Sequence, residues 1–136
     1  MADVKIACVV QRPPYKSETS TLGFTHAISS QVVEMLLEDG QNVIPTMCMV
    51  GEGIFNLLNN QKAMENYGVT SIESHGKNAL LCDLDILVCK EDLVTFGIAE
   101  DRLLDAEDMG ADKKLQIVPY SEIQKVMESS AHLLFF

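Results

Sequence analysis

Four cysteines, Cys8, Cys48, Cys82 and Cys89, carry the most versatile chemistry in this chain. None is spaced Cys-x-x-Cys, and the histidines, His26, His75 and His132, stand far apart, with no cysteine at zinc-finger spacing. Neither a metal nor another cofactor is therefore expected. In a reducing compartment the thiols are free, and the surroundings of each decide whether it reacts. Cys8 and Cys48 lie inside apolar runs and read as core residues, the commonest role of a free cysteine. Cys89 differs because it ends the run Asp85-Ile86-Leu87-Val88-Cys89, and Lys90-Glu91-Asp92-Leu93 opens a helix directly from it. A thiol there meets unpaired amides and the positive end of the helix dipole, which favour a thiolate. Lys90 acts in the same direction, while Glu91, Asp92 and Asp85 oppose it, so the net shift stays open, as does a buried, inert Cys89. Cys82, seven residues before Cys89 on a helix or its end, could meet Cys89 in space as a resolving thiol, although nothing in the spacing requires it.

Other chemical motifs are weaker. Gly51-Glu52-Gly53 begins like a dinucleotide fingerprint, but Asn56 stands at the third glycine position and Glu52 would repel a pyrophosphate. A tight strand-to-helix turn is the better reading. No phosphate-cradling Gly-x-x-x-x-Gly-Lys-Ser/Thr loop occurs, and the first strand is followed by Arg12-Pro13-Pro14 rather than by the paired acids of a phospho-acceptor domain. Arg12-Pro13-Pro14-Tyr15 is a stiff loop that brings an arginine and a tyrosine to the strand-end face. His26 reads as a surface or polar packing residue, His75 as a solvated loop residue, and His132 as a strand-edge residue available to an interface.

The elements that must position these residues follow from apolar patterning. Strands are expected at Val4–Val10, Asn42–Val50, Asp85–Cys89, Leu115–Val118 and Leu133–Phe136. A helix is expected over Ser20–Leu37 with Gly40 past its end, and shorter ones over Ile54–Leu58, Gly76–Cys82 and Lys90–Phe96, the last closed by Gly97. Ser121 and Gln124 have the form of a capping box before a helix over Ile123–Ser129. Ala63–Ser74 is poorly periodic and reads as irregular surface structure, and Asp101–Lys114 as a solvated helix or loop. Strands alternating with helices predict a three-layer α/β fold: a mostly parallel five-stranded sheet with helices on both faces. In such folds chemistry lies outside the carboxyl ends of the strands, where Cys89 stands.

The 136 residues, 47% hydrophobic and 22% charged, suit one domain spanning 1–136. Acidic residues outnumber basic ones 20 to 10, a net charge of −10 that disfavours direct contact with nucleic acid or an anionic membrane. No apolar run approaches the roughly 20 residues of a membrane span, and no secretory signal pattern opens the chain, so a cytoplasmic protein is expected. Met47, Met49, Phe55, Leu57, Leu58, Phe135 and Phe136 supply more apolar surface than a small sheet hides, which points to a subunit interface.

Arg12-Pro13-Pro14-Tyr15, the stretch Gly51-Glu52-Gly53-Ile54-Phe55-Asn56-Leu57-Leu58 with Gln61 after it, and the ending Val126–Phe136 together resemble the DsrE/DsrF sulfur-relay family, closest to its DsrF/TusC branch. The resemblance covers essentially the whole chain. Glu52-Gly53 stands where the family has Asp-Gly, and Pro14-Tyr15-Lys16 where it has Pro-Tyr-Gly. It implies a DsrE/DsrF-like subunit of a cytoplasmic sulfurtransferase system, assembled with homologous DsrE/TusD-like and DsrH/TusB-like subunits, or with itself, as a trimer or hexamer. Sulfur-donor and sulfur-acceptor proteins would be its further partners. Cys89 matches the persulfide-carrier position of the DsrE/TusD branch, with Arg12 or Tyr15 bordering it. The DsrF/TusC branch is not the one usually assigned the carrier thiol, so a scaffolding subunit that completes an oligomer around an active relative is the alternative.

Overall fold

A computed structural model describes residues 4–15, 18–32 and 42–136. Five strands, β1 (Val4–Val10), β2 (Val43–Met49), β3 (Asp85–Cys89), β4 (Gln116–Val118) and β5 (His132–Phe135), form one sheet in the order β4-β3-β2-β1-β5. Every neighbouring pair is parallel, with Val9 beside Cys48, Cys48 beside Leu87, Cys89 beside Val118 and Val9 beside Phe135. The expected three-layer α/β architecture is therefore present. All five carboxyl ends lie along one rim of the sheet.

Parallel strands need crossovers, and the helices supply them on both faces. Helices α1 (Thr19–Val32) and α3 (Ile72–Leu81) cover one face, where Phe24, Ala27, Ala79 and Leu80 pack on Cys8, Val10, Met47, Met49, Ile86 and Val88. The alternate residues Ala7, Val9, Cys48, Leu87 and Cys89 point to the other face, under Ile123 of α5 (Tyr120–Ser129). Because β1, β2 and β3 are apolar on both sides, they read in sequence as continuous apolar runs. Pro45, inside β2, pairs with Ile6 of β1, and the pairing with β3 begins only at Thr46, so its missing N–H breaks no β2–β3 bond.

Several boundaries differ from the sequence-based expectation. Ala63–Ser74 is largely helical: α2 runs over Ala63–Tyr67 and α3 starts at Ile72. The Glu73 carboxylate accepts the backbone N–H groups of Asn60 and Gln61, while Gln61 Nε2 donates to the carbonyls of Asn56 and Leu58 and its Oε1 accepts from the Glu73 N–H. This polar clamp leaves no trace in apolar periodicity. Gly51–Leu57 is a 3-10 turn rather than a turn followed by a helix, and Glu100–Arg102 and Glu107–Met109 are short 3-10 turns within the expected solvated segment. Helix α5 starts at Tyr120 with Pro119 as its N-cap, and no side chain caps it in the manner of a Ser-x-x-Gln box. The C-terminal part of the expected first helix and its Gly40 stop, like Lys16, fall outside the described residues. Helix α4 covers Lys90–Phe96 and is closed by Gly97, as expected.

Candidate functional site

Strand β3 delivers Cys89 to the rim of the sheet, where the residue is both the last of the strand and the N-cap of α4, with φ −70° and ψ 113°. Its side chain points to the α5 face and packs with Ala7, Val9, Cys48, Leu87 and Ile123, leaving 2% of the residue exposed. Removal from water is the first influence on the thiol and raises its pKa above the ordinary value. The backbone at Asp92 acts in the opposite sense, whereas the Asp92 carboxylate and Glu91 raise the pKa further. The net shift, open on sequence grounds, is upward. The resting state is the protonated thiol.

Both acids have structural partners that the sequence did not suggest. Asp92 Oδ2 accepts the Gly51 N–H at 2.6 Å, tying α4 to the turn after β2. Glu91 Oε1 and Oε2 accept the Tyr120 N–H at 3.0 and 3.2 Å, so the first free amide of α5 is satisfied by a carboxylate from α4. The only advance signal was the adjacency of two acids to a strand end, and it did not specify which amides they would reach.

The turn beside Cys89 tolerates little change. A Cβ on Gly53 would lie 2.0 Å from the Val10 carbonyl oxygen, so only glycine fits, and Gly51 holds φ at +54°. Buried Asn56 explains why a glycine is absent at the third position. Its Nδ2 donates to the carbonyls of Arg12 and Gly53, and Ser20 Oγ donates to the Arg12 carbonyl at 2.8 Å. The Arg12–Tyr15 loop is thereby fixed by its backbone, while the Arg12 side chain lies at an exposed position.

Tyr15 takes a place of its own. It lines a cleft of about 710 Å³ on the α1–α3 side, with Pro14, Phe55, Gln61, Tyr67 and His75. Cys89, facing α5, does not line that cleft. A second groove, about 390 Å³ and mainly apolar, lies on the α5 face between Met127, Leu133 and Phe135, with Val9 and Val50 on its floor. Val9 and Val50 also pack in the cluster that holds Cys89, so this groove is the nearer approach to the sulfur.

The remaining titratable candidates are placed apart from Cys89. Cys8 and Cys48 are fully buried, and desolvation pushes their thiols up to about 11 and about 12. Cys82 caps the C-terminus of α3 and precedes β3, whereas Cys89 ends it. At about 3.3 Å per residue the strand separates them by roughly 13 Å, too far for a disulfide, whose Cα atoms lie within about 7 Å. The Cys82–Cys89 redox pair is thus excluded in this fold. His75 stacks on Phe24 with ring centroids 6.5 Å apart, His26 lies 5.6 Å from the Phe136 ring, and His132 stands on β5. Among the described residues no group of histidines, cysteines and acids is arranged to hold a metal ion. Among them, too, no helix is long and apolar enough to cross a membrane.

Comparison with solved structures gives full-length matches. The YchN protein of E. coli superposes with a TM-score of 0.69 over 99% of this chain and 100% of its own, at 18% identity. The fold is shared. A protein of unknown function from Methanobacterium thermoautotrophicum, MTH1491, matches with a TM-score of 0.59 at 13% identity, over 98% of this chain and 100% of that one. BT1422 from Bacteroides thetaiotaomicron, also of unknown function, matches at 0.55 and 11%, over 97% and 94%. Identities this low show the fold and nothing finer, and that fold is the five-stranded parallel α/β sheet with helices on both faces expected from the sequence. No protein-family model matches the chain, and no curated protein sequence does.

Proposed function

We propose that this chain is a subunit of a sulfur-relay system, of the DsrF/TusC kind, in which Cys89 carries sulfur as a persulfide. The observation that carries this reading is the position of Cys89, at the end of β3 and the N-cap of α4, beside the first backbone amides of that helix. The shared fold supports the same reading.

The chemistry is thiol exchange at sulfur. The Cys89 thiolate attacks the outer sulfur of a donor persulfide, the donor S–S bond breaks, and the donor leaves as a thiolate. Cys89 then holds an S–SH group, and the thiolate of an acceptor protein removes the outer sulfur and releases Cys89. No electrons are gained or lost overall, so no redox cofactor is required.

Burial shapes the cycle. Desolvation is the largest cause of the raised thiol pKa, so a donor that displaces α5 or Val50 both exposes the sulfur and favours its ionisation. Loading is then coupled to docking, and the solitary protein keeps its thiol protected.

The scaffolding alternative draws on the same burial: a 2% exposed, protonated Cys89 also suits a subunit that only completes an assembly. Uptake of labelled sulfane sulfur separates the two. The relay reading expects wild type to bind label covalently and Cys89→Ser to bind little, and equal uptake by both would refute it.

A further inference from the structure

The cleft of about 710 Å³ on the α1–α3 side is built from the segments that follow β1 and β2, outside the carboxyl ends of the strands, where α/β sheets take their ligands. Its volume is that of a small-molecule site, usually about 300–1,000 Å³. Tyr15 and Glu18, before α1, form one side, and Lys62, Asn66 and Tyr67, at and before α2, form another. Phe55 and His75 are less exposed and lie deeper. Polar bonds brace both sides. Asn56 and Ser20 hold the Arg12 carbonyl and so the loop that carries Tyr15, while the Gln61–Glu73 clamp holds the entry to α2 against the start of α3. A cleft fixed in this way needs little ordering when a ligand enters.

The fold leaves the groups at its mouth unused. Among the described residues the side chains of Tyr15, Glu18, Lys62, Asn66 and Tyr67 make no hydrogen bond or ion pair. Phe55 and His75 have ring partners of their own, Phe96 at 5.0 Å and Phe24 at 6.5 Å. The rings of Tyr15 and Tyr67, 55% and 80% exposed, have none among the described residues.

We propose that this cleft binds a small aromatic zwitterion, of the class of the free aromatic amino acids. The tyrosine rings take the flat part of the ligand, Glu18 its ammonium group and Lys62 its carboxylate. One charge of each sign makes the selection. A ligand that fills the cleft displaces water from both side chains, so a cation alone would leave Lys62 unpaired and an anion alone would leave Glu18 unpaired. A phosphate-bearing ligand fits worse still, because one lysine would face it in a chain that carries −10. Cys89 points to the α5 face, so this inference does not depend on its chemistry.

Calorimetric titration of the full chain with tryptophan, tyrosine and phenylalanine tests the site. At least one should bind saturably, with one molecule per chain. The tightest is then compared with its analogues that lack the amine, the acid or both, and each lost charge should weaken binding about threefold. Glu18→Gln should weaken the amino acid by the same factor and leave the amine-free analogue unchanged, Lys62→Gln should leave the acid-free analogue unchanged, and Tyr67→Ala should weaken every ligand about tenfold. All three positions are exposed, and an unchanged circular-dichroism spectrum verifies the fold of each variant. No saturable binding of any of the three amino acids overturns the proposal. So does equal binding by the analogue without charges, or binding that Glu18→Gln, Lys62→Gln and Tyr67→Ala all leave unchanged.

Discussion

The Cys89 sulfur lies between opposing influences, the backbone at Asp92, which favours the anion, against burial and two carboxylates, which do not. Asp92 is the residue through which this balance can be moved with least disturbance. Asp92→Asn keeps an oxygen to accept the Gly51 N–H and removes the charge, so the Cys89 pKa should fall. The pH profile of native-state alkylation at Cys89 should then shift to lower pH, and an unmoved profile would show that Asp92 has no such influence. Cys8 and Cys48 make a separate statement, about stability. Their folded pKa values, about 11 and about 12, lie above the ordinary 9.0, so the folded state keeps protons that the unfolded state loses. Below about pH 9 the two states bind these protons alike, and from there upward stability should decline. The urea midpoint should therefore fall between about pH 8 and about pH 10, and fall less steeply in Cys48→Ala. Much at this scale was legible in the sequence: Cys89 at a strand end, and Cys8 and Cys48 in the core. The sign of the Cys89 shift was not, because it depends on how deeply Ile123 and Val50 bury the sulfur, and sequence adjacency reports only the charged neighbours.

Helices α4 and α5 are joined by the Glu91 carboxylate, and α4 is joined to the turn after β2 by Asp92. Helix α5 has a single fully buried residue, Ile123, so its hold on the sheet depends strongly on this carboxylate at its first turn. Glu91→Ala should destabilise the N-terminus of α5 by about 1 kcal/mol, the usual cost of losing a cap. Amide exchange at Tyr120 and alkylation of Cys89 should both speed up, while amides in β1 and β2 keep their protection. An unchanged Cys89 rate beside faster Tyr120 exchange would show that α5 does not gate the thiol. The elements themselves were legible wherever apolar residues repeat with a clear period, as in β1, β2, β3 and α4. They were missed where polar side chains do the organising. The Gln61–Glu73 clamp starts α3 at Ile72, ahead of the expected Gly76, and the Glu91 contact starts α5 at Tyr120, ahead of the expected Ile123. Such bonds join residues distant in sequence, and a local pattern such as Ser121-x-x-Gln124 cannot stand in for them.

At the scale of the whole molecule, a parallel sheet covered on both faces brings the carboxyl ends of its strands to one rim, and with them Cys89, the Gly51–Gly53 turn and the Arg12–Tyr15 loop. Alternating strands and helices made that rim legible, because parallel connections admit few other arrangements. What sequence could not apportion is the face each side chain takes. Tyr15 lines the α1–α3 cleft while Cys89 faces α5, so two strand-end residues serve opposite sides of one sheet. The central claim is that Cys89 alone receives and releases sulfur. Its most direct test is a chain in which Cys89 is the sole thiol, made by Cys8→Ala, Cys48→Ala and Cys82→Ser and checked for native fold. Intact-mass spectrometry after exposure to a persulfide donor should show a gain of one sulfur atom, and an excess of acceptor thiol should remove it. No gain, with the Cys89 thiol shown intact by alkylation after unfolding, would contradict the claim.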